Sequence, residues 1–99
     1  MAGAAIPTVQ VDDERVRVTE WRFPPGTSTG WHRHEHDYVV VPVTNGTLTI
    51  VTREGRFQNE LKHGVAYSRA IGVEHDVINE SNEEVAFIEV EIKQRGGAA

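Results

Sequence analysis

Apolar and polar residues alternate along most of the chain in short runs, and turn-forming residues separate these runs. Few windows repeat apolar residues at the spacing of an amphipathic helix, so we expect no helix longer than a turn or two. The runs predict strands at residues 15–23, 32–41, 47–52, 56–61, 65–70, 75–79 and 85–93. Many short strands with turns between them are typical of an all-β sandwich or barrel.

Two glycine dipeptides mark the expected hairpins. Asn45-Gly46 is the stronger signal, because both residues tolerate the positive φ angles of a type I′ turn. Glu54-Gly55 is a weaker version of the same signal. The pattern therefore predicts a hairpin turn on each side of the strand at 47–52.

The first and last predicted strands have two distinct faces. In the first, two valines at even positions are followed by Trp21 and Phe23 at odd ones, so we expect a bulge or bend near residues 19–20. In the last, four apolar residues at even positions share one face, while Glu89 and Glu91 share the other.

Three histidines provide the clearest chemical signal. His32 and His34 are two residues apart, so on a strand their side chains share a face and lie about 7 Å apart. His75 lies within residues 72–79, which read as a strand entered from a tight turn, and a barrel would bring it to the same point. Neutral imidazole binds zinc, iron, nickel and copper alike. The spacing therefore predicts a divalent metal site and leaves the metal open.

Composition limits the classes of partner. The 99 residues predict one domain, which we place at 8–93 between loose tails at 1–7 and 94–99. Ten Lys plus Arg against 15 Asp plus Glu give a net charge of -5, which argues against nucleic acid or an anionic membrane as a partner. The lack of cysteine excludes disulfides and thiolate sites. Neither a secretion signal nor a membrane span is recognisable, so we expect a cytoplasmic protein.

The spacing of glycines, histidines and one asparagine resembles the two conserved motifs of the cupins. The first motif, Gly-x5-His-x-His-x3or4-Glu-x6-Gly in that family, is matched by Gly26-x5-His32-x-His34-x3-Tyr38-x7-Gly46. The second, Gly-x5-Pro-x-Gly-x2-His-x3-Asn, is matched by Gly64-x5-Ala70-x-Gly72-x2-His75-x3-Asn79. The residues after the histidine pair are similar to those of small single-domain cupins of β-alanine degradation. The resemblance implies an all-β fold, the single-domain cupin jelly-roll barrel or double-stranded β-helix.

Two departures from the family pattern affect the expected ligands. Tyr38 stands where cupins place a glutamate ligand, or Val39 if one extra residue is counted, and Ala70 replaces a proline. The extra residue coincides with Pro42. Since a proline within a strand is confined to an edge or a bulge, we expect residues 41–44 to be bulged. Tyr38 would then keep the inward position of the glutamate.

The resemblance implies that His32, His34 and His75 hold a divalent transition metal, with Fe(II) favoured and Zn(II), Ni(II) or Mn(II) as alternatives. This ligand set is similar to that of the three-histidine thiol and β-diketone dioxygenases of the family. The implied function is a dioxygenase-like oxidoreductase acting on a small carboxylate or amino-acid-derived metabolite, with Tyr38 orienting substrate or water. A non-catalytic binding or sensing barrel and a metal-assisted isomerase or hydrolase are the alternatives.

Four residues near the motifs keep more than one interpretation. An unbroken strand from the histidine pair would turn His36 and Tyr38 to the same face. His36 is then a fourth nitrogen ligand or a histidine at the pocket rim, and Tyr38 is a phenolate ligand or a hydrogen-bonding group. Asp37 binds the metal only if the strand is bulged and is otherwise a surface charge. Asn79, by family analogy, supports the metal ligands from behind or forms a turn.

The expected partners are a small-molecule substrate and a second copy of the chain. A homodimer is the usual state in the family, and the unpaired strand edges of an open barrel give it a physical reason, because such edges bind other strands. We expect no nucleic acid and no membrane as partner.

Overall fold

Strands account for all of the regular structure, as the alternation of the sequence predicts. The computed structural model describes residues 3–93, and in that part of the chain it has eleven strands and no helix. They are β1 (Gly3–Ala4), β2 (Ile6–Asp12), β3 (Val16–Phe23), β4 (Thr27–Ser28), β5 (His32–Arg33), β6 (Asp37–Pro42), β7 (Gly46–Thr52), β8 (Gly55–Leu61), β9 (Tyr67–Arg69), β10 (Glu74–Ile78) and β11 (Val85–Ile92). The all-β fold class is confirmed, and none of these residues belongs to a helix that could cross a membrane.

The strands form two sheets that pack face to face. One has the order β1-β4-β10-β7-β8, with β5 paired to β10, and the other has the order β2-β3-β11-β6-β9. Buried apolar residues from both sheets form one cluster between them, since each sheet removes one face from water in this way. The cluster includes Phe23, Leu48, Leu61, Val77, Val85 and Phe87.

Only the weaker of the two hairpin signals corresponds to a hairpin. β7 and β8 pair along their whole length and turn just before Gly55. The hairpin predicted at Asn45-Gly46 is wrong, because the strands on either side of it, β6 and β7, lie in different sheets. Glycine is needed there for space, since a Cβ on Gly46 would lie 2.7 Å from Cγ2 of Val85. The Asn45 side chain accepts a hydrogen bond from the backbone N–H of His63 at 2.9 Å.

The bulge predicted near residues 19–20 is also wrong. β3 pairs with β11 in one unbroken register over its full length. The register shift lies in the neighbouring strand β2, between Val9 and Val11. The change of phase in β3 has another cause: the strand places Phe23 inward and Val18 on the outer face, so both of its faces carry apolar residues.

The strand predicted at 32–41 is divided in two. β5 ends at Arg33, a bend follows at residues 35–36, and β6 begins at Asp37. The bulge predicted at 41–44 is replaced by the end of β6 at Pro42 and a bend at residues 43–44, where the chain crosses to the other sheet. The extra residue is therefore accommodated between two strands and not within one.

The expected loose tail at residues 1–7 needs correction for residues 3–7. β1 pairs in parallel with β4, and β2 pairs with β3 from Ile6 onward. Ala5, between them, is buried in the core and donates a backbone hydrogen bond of 2.9 Å to the carbonyl oxygen of Ser28. Residues 1–2 and the predicted tail at 94–99 lie outside the described residues.

Candidate metal centre

Three imidazoles meet at one point. His32 of β5 and His75 of β10 are directly opposite each other in the strand pair. His34 follows β5, and its Nε2 atom lies 3.1 Å from Nε2 of His32 and 3.1 Å from Nε2 of His75. Among residues 3–93, these histidines form a group of potential metal ligands whose ligand atoms all lie within 4.8 Å of one another. The predicted convergence is confirmed, and the cluster could bind a metal ion.

Backbone hydrogen bonds fix the position of His34 against the loop before β10. The N–H of His34 donates to the carbonyl oxygen of Val73, and the N–H of Gly72 donates to the carbonyl oxygen of His34, both at 2.9 Å. Gly72 has a φ of 95°, a conformation that favours glycine. Both polar backbone groups of His34 are thus used to hold a ligand-bearing segment in place, which keeps the imidazole where the other two meet it.

Hydrogen bonding also selects the tautomer of His32. Its Nδ1 lies 2.9 Å from the carbonyl oxygen of Gly30, which can only accept, so Nδ1 carries the proton and Nε2 keeps its lone pair. The N–H of Gly30 in turn donates to Oδ1 of Asp76 at 3.1 Å. Such a bond behind an imidazole orients the ring and makes the opposite nitrogen a better ligand.

Burial keeps the other two imidazoles neutral. His34 and His75 are almost fully covered. Burial, reinforced by the neighbouring His32, lowers the pKa of His34 to about 3 and the pKa of His75 to about 4. Both rings are therefore uncharged near neutral pH, and neutral imidazole is the form that binds a metal ion.

The spacing of the nitrogens fits a shared ion. With metal–nitrogen bonds of about 2.1 Å, two adjacent nitrogens stand about 3.0 Å apart in an octahedral site and about 3.4 Å apart in a tetrahedral one. The 3.1 Å separations around His34 lie in this range. Nitrogen donors of this kind suit zinc, iron, nickel or copper, so the geometry accommodates a transition metal without selecting one.

Tyr38 lies against this cluster through its ring. It is buried, and its ring stacks on that of His34 with centroids 3.9 Å apart and planes 17° apart. Burial raises the pKa of the Tyr38 hydroxyl well above its ordinary value, with Glu89 acting in the same direction. A neutral phenol is the favoured form in these surroundings, and the choice between a phenolate ligand and a hydrogen-bonding group stays a prediction.

His36 and Asp37 lie away from the three ligand atoms. The bend at residues 35–36 breaks the strand, and His36 is not part of the nitrogen cluster; it borders a second cavity together with His32 and His34. Oδ1 of Asp37 accepts a hydrogen bond of 2.7 Å from the backbone N–H of Ile71. Asp37 thus holds the loop that also contacts His34.

Asn79 is fully buried, and its side chain organises a turn. Its Nδ2 donates to the carbonyl oxygens of Phe23 at 2.8 Å and Glu83 at 2.7 Å. Its Oδ1 accepts from the backbone N–H and the hydroxyl of Ser81. Of the two roles that the sequence left open, these contacts correspond to the turn.

Two of the three histidines border a cavity of about 240 Å³ between the sheets. This is less than the roughly 300–1,000 Å³ of pockets for drug-sized ligands, so the cavity suits a small metabolite. His34, His75 and Tyr38 contribute to its wall. Most of the remaining wall is apolar and includes Trp21, Val40, Leu48, Ile50, Val77 and Phe87. Its charged side chains are Arg69 and Glu89.

Glu89 is the cavity residue that the sequence analysis missed. The acidic face of the last strand resembles a solvated surface, yet Glu89 is only 8% exposed. Burial raises the pKa of Glu89 to about 7, Glu91 adds to this effect, and Arg17 opposes it. Glu89 has the same phase as Val85 and Phe87, which are both in the core. That shared phase is the signal that would have placed it inside.

Comparison with known proteins agrees with this architecture. The family model described as cupin domain matches residues 19–91. The beta-alanine degradation protein BauB of Pseudomonas aeruginosa is 62% identical to the chain over 89 residues, which cover 90% of this chain and 94% of that protein.

Solved structures give the same fold. A cupin domain from Bordetella pertussis Tohama I has 60% sequence identity and a TM-score of 0.92, covering 95% of this chain and 98% of its own. A conserved protein with a double-stranded β-helix domain from Klebsiella pneumoniae has 23% identity and a TM-score of 0.76, covering 96% of this chain and 82% of its own. The predicted jelly-roll barrel is confirmed.

Proposed function

The chain belongs to the cupin family, and on that premise we propose that it is a metal-dependent, dioxygenase-like oxidoreductase acting on a small carboxylate or amino-acid-derived metabolite. The observation that carries this proposal is the position of the His34 Nε2 atom, which lies 3.1 Å from Nε2 of His32 and 3.1 Å from Nε2 of His75, beside a small cavity. The name of the relative BauB, a beta-alanine degradation protein, supports a substrate of amino-acid origin.

His32, His34 and His75 would hold the metal. Fe(II) is favoured, with Zn(II), Ni(II) or Mn(II) as alternatives, because three histidines without a carboxylate resemble the ligand set of the three-histidine dioxygenases of the family. The bound ion would supply Lewis acidity and, if it is iron, the capacity to activate oxygen. Because the imidazoles are neutral, they leave the positive charge of the ion uncompensated, which favours an anionic group on the substrate at this end of the cavity.

Tyr38 would supply a proton donor to the cavity. Its hydroxyl keeps its proton because burial raises its pKa, and its ring is held in place by His34. We propose that this hydroxyl orients the substrate or a water molecule by donating a hydrogen bond. The apolar walls limit the competing hydrogen bonds that bulk water would offer there.

The Tyr38→Phe variant tests that role. It keeps the ring stacked on His34 and removes only the hydroxyl, so we expect turnover to fall by about 100-fold or more while metal content is unchanged. Elemental analysis beside a turnover assay measures both quantities. Loss of the metal from this variant would make Tyr38 a ligand and contradict the proposal.

Metal content tests the first part of the function. Protein isolated gently from its native host should carry about one equivalent of a transition metal, because the three ligands are already assembled. His34→Ala should remove it, whereas the exposed His63, whose backbone N–H bonds to Asn45, offers the matched control His63→Ala that retains it. Less than about a tenth of an equivalent in the wild type would contradict a metal-dependent function.

Oxygen consumption separates an oxidoreductase from the other candidate functions. Fe(II)-loaded protein should consume oxygen with small carboxylates or amino acids, and the His34→Ala variant should not. A non-catalytic binding or sensing barrel is the second candidate, favoured by the neutral Tyr38 in the position where the family places a glutamate. It predicts binding without oxygen uptake. Turnover with Zn(II) or Ni(II) and no oxygen uptake would indicate an isomerase or hydrolase.

A cytoplasmic location stays a prediction, which cell fractionation tests.

A further inference from the structure

The five-stranded sheet turns one acidic side chain into the cavity. Glu89 lies on β11, the central strand, opposite Thr19 of β3 and Val40 of β6. It is buried and lines the same cavity as His34 and His75. A buried carboxylate is costly unless another group compensates its charge.

No hydrogen bond or salt bridge within residues 3–93 compensates Glu89. Arg17, which influences it electrostatically, makes its salt bridges with Asp12 at 3.5 Å and Glu91 at 3.6 Å. Arg69, the basic residue of the cavity wall, is exposed, stacks over the ring of Tyr67 and donates to a backbone carbonyl. Burial accordingly raises the pKa of the Glu89 carboxyl to about 7. The cavity therefore contains an acidic group in need of a cation.

Glu89 and the histidine cluster border the same cavity from different sheets. Tyr38, whose ring stacks on His34, is opposite Glu91 in the strand pair, and Glu89 is two residues further along β11. His75, which lines the same cavity, lies on β10 of the other sheet. The carboxyl and the histidines thus border the cavity from the two sheets and match the two ends of a short bifunctional molecule.

We propose that Glu89 binds the ammonium group of a small ω-amino acid whose carboxylate faces the three-histidine end of the cavity. This inference rests on the proposed function, because the metal provides the anion-binding end. An α-amino acid carries its amine and its carboxylate on the same carbon and spans a shorter distance. A chain with at least one more carbon between the two groups reaches more easily from the metal end to a carboxyl on the other sheet.

Calorimetric titration of metal-loaded protein tests this assignment. β-Alanine, its isomer L-alanine and propionate, which lacks the amine, are titrated in turn into Zn(II)-loaded protein. A charge-assisted contact in a buried site predicts that β-alanine binds at least about tenfold more tightly than propionate or L-alanine. Glu89→Gln should reduce the preference to within about threefold while leaving propionate affinity unchanged. The matched control is Glu20→Gln, on the neighbouring strand β3, whose side chain pairs with Arg22 and lines neither cavity beside the histidines, and it should keep the preference.

Two results overturn the assignment. One is a wild-type protein that binds its metal but does not prefer β-alanine, a result that needs no variant and no assumption about folding. The other is a Glu89→Gln protein that retains the preference. Metal content measured on the same samples separates the proposals, because metal-loaded protein without the preference contradicts only the role of Glu89. Protein that fails to bind any metal contradicts the proposed function and this inference together.

Discussion

Asn79 illustrates at the residue scale how one buried polar side chain connects separate segments of a barrel. Its amide joins the end of β3, through the carbonyl oxygen of Phe23, to the turn before β11, through Glu83 and Ser81. Its backbone also participates, since the N–H of Gly26 donates to the Asn79 carbonyl oxygen at 2.8 Å. A side chain with both donors and its acceptor satisfied is stabilising, whereas the same groups left alone in the core are costly.

Replacing Asn79 should therefore reduce stability more than a typical substitution. We expect Asn79→Ala to lower the free energy of unfolding by about 3 kcal/mol, because it removes the donor to the buried carbonyl oxygen of Phe23 and the acceptor for the N–H and hydroxyl of Ser81. Ser81→Ala, which removes one hydroxyl from the same turn, should cost about 1 kcal/mol. Urea unfolding measures both. An Asn79→Ala protein no less stable than Ser81→Ala would contradict this account.

Glu89 should make stability depend on pH. Its pKa is about 7 in the folded protein, whereas the pKa of a glutamate in an unfolded chain is about 4.3. Between these values the folded state binds more protons than the unfolded state. The stability that protonated Glu89 contributes is therefore fully present below pH ~4.3 and is lost as pH rises through ~7. Relative to Glu89→Gln, metal-free wild type should lose up to about 3 kcal/mol between pH 4.5 and pH 8. Glu91 and Arg17, the charged groups that influence Glu89, are the same in both proteins, so the difference in slope reports Glu89. Equal pH slopes for wild type and Glu89→Gln would refute the prediction.

At the scale of elements, the sequence predicts where strands lie better than how they connect. The alternation and the turn residues place β7, β8 and β11 within about a residue of their observed limits, because these signals are local. The sheet that each strand joins depends on distant partners. Asn45-Gly46 has the composition of a hairpin turn, yet it is a crossing between sheets, and Glu89 resembles a surface residue until the pairing of β11 is known. The meeting of the three histidines could be predicted because their spacing along the chain matches the family motifs, which does not require knowing how the strands connect.

Gly46 offers a test of the crossing between the sheets. A Cβ there would meet Cγ2 of Val85 at 2.7 Å, closer than side-chain atoms pack. Gly46→Ala should therefore lower the free energy of unfolding by about 1–3 kcal/mol through overpacking. Val85→Ala removes the obstructing methyl groups. The double variant should therefore lose less stability than the sum of the losses measured for the two single variants. Additive effects in chemical unfolding would instead place the cause in the backbone of the crossing.

At the scale of the whole molecule, the five-stranded sheet has two faces with different chemistry. The inner face carries Glu89 and the wall of the cavity. On the outer face, one row of valines crosses the sheet, because their registers align them on neighbouring strands. The row consists of Val39, Val90, Val18 and Val11. The last of these is 43% exposed, and β2, which carries it, has a free edge within the described residues. A continuous apolar row beside an unpaired edge is typical of a surface that binds another chain.

The homodimer expected from the sequence stays a prediction, and this outer face is where we expect its contact. Light scattering after size exclusion should give about twice the chain mass of 11.0 kDa. Val90→Lys should give the mass of a monomer, because a lysine would be buried against the partner without a counter-charge. Val51→Lys, on the opposite sheet beside Asp76, should leave the mass unchanged. A monomeric wild type would contradict the dimer, and a dimeric Val90→Lys protein would place the contact elsewhere on the molecule.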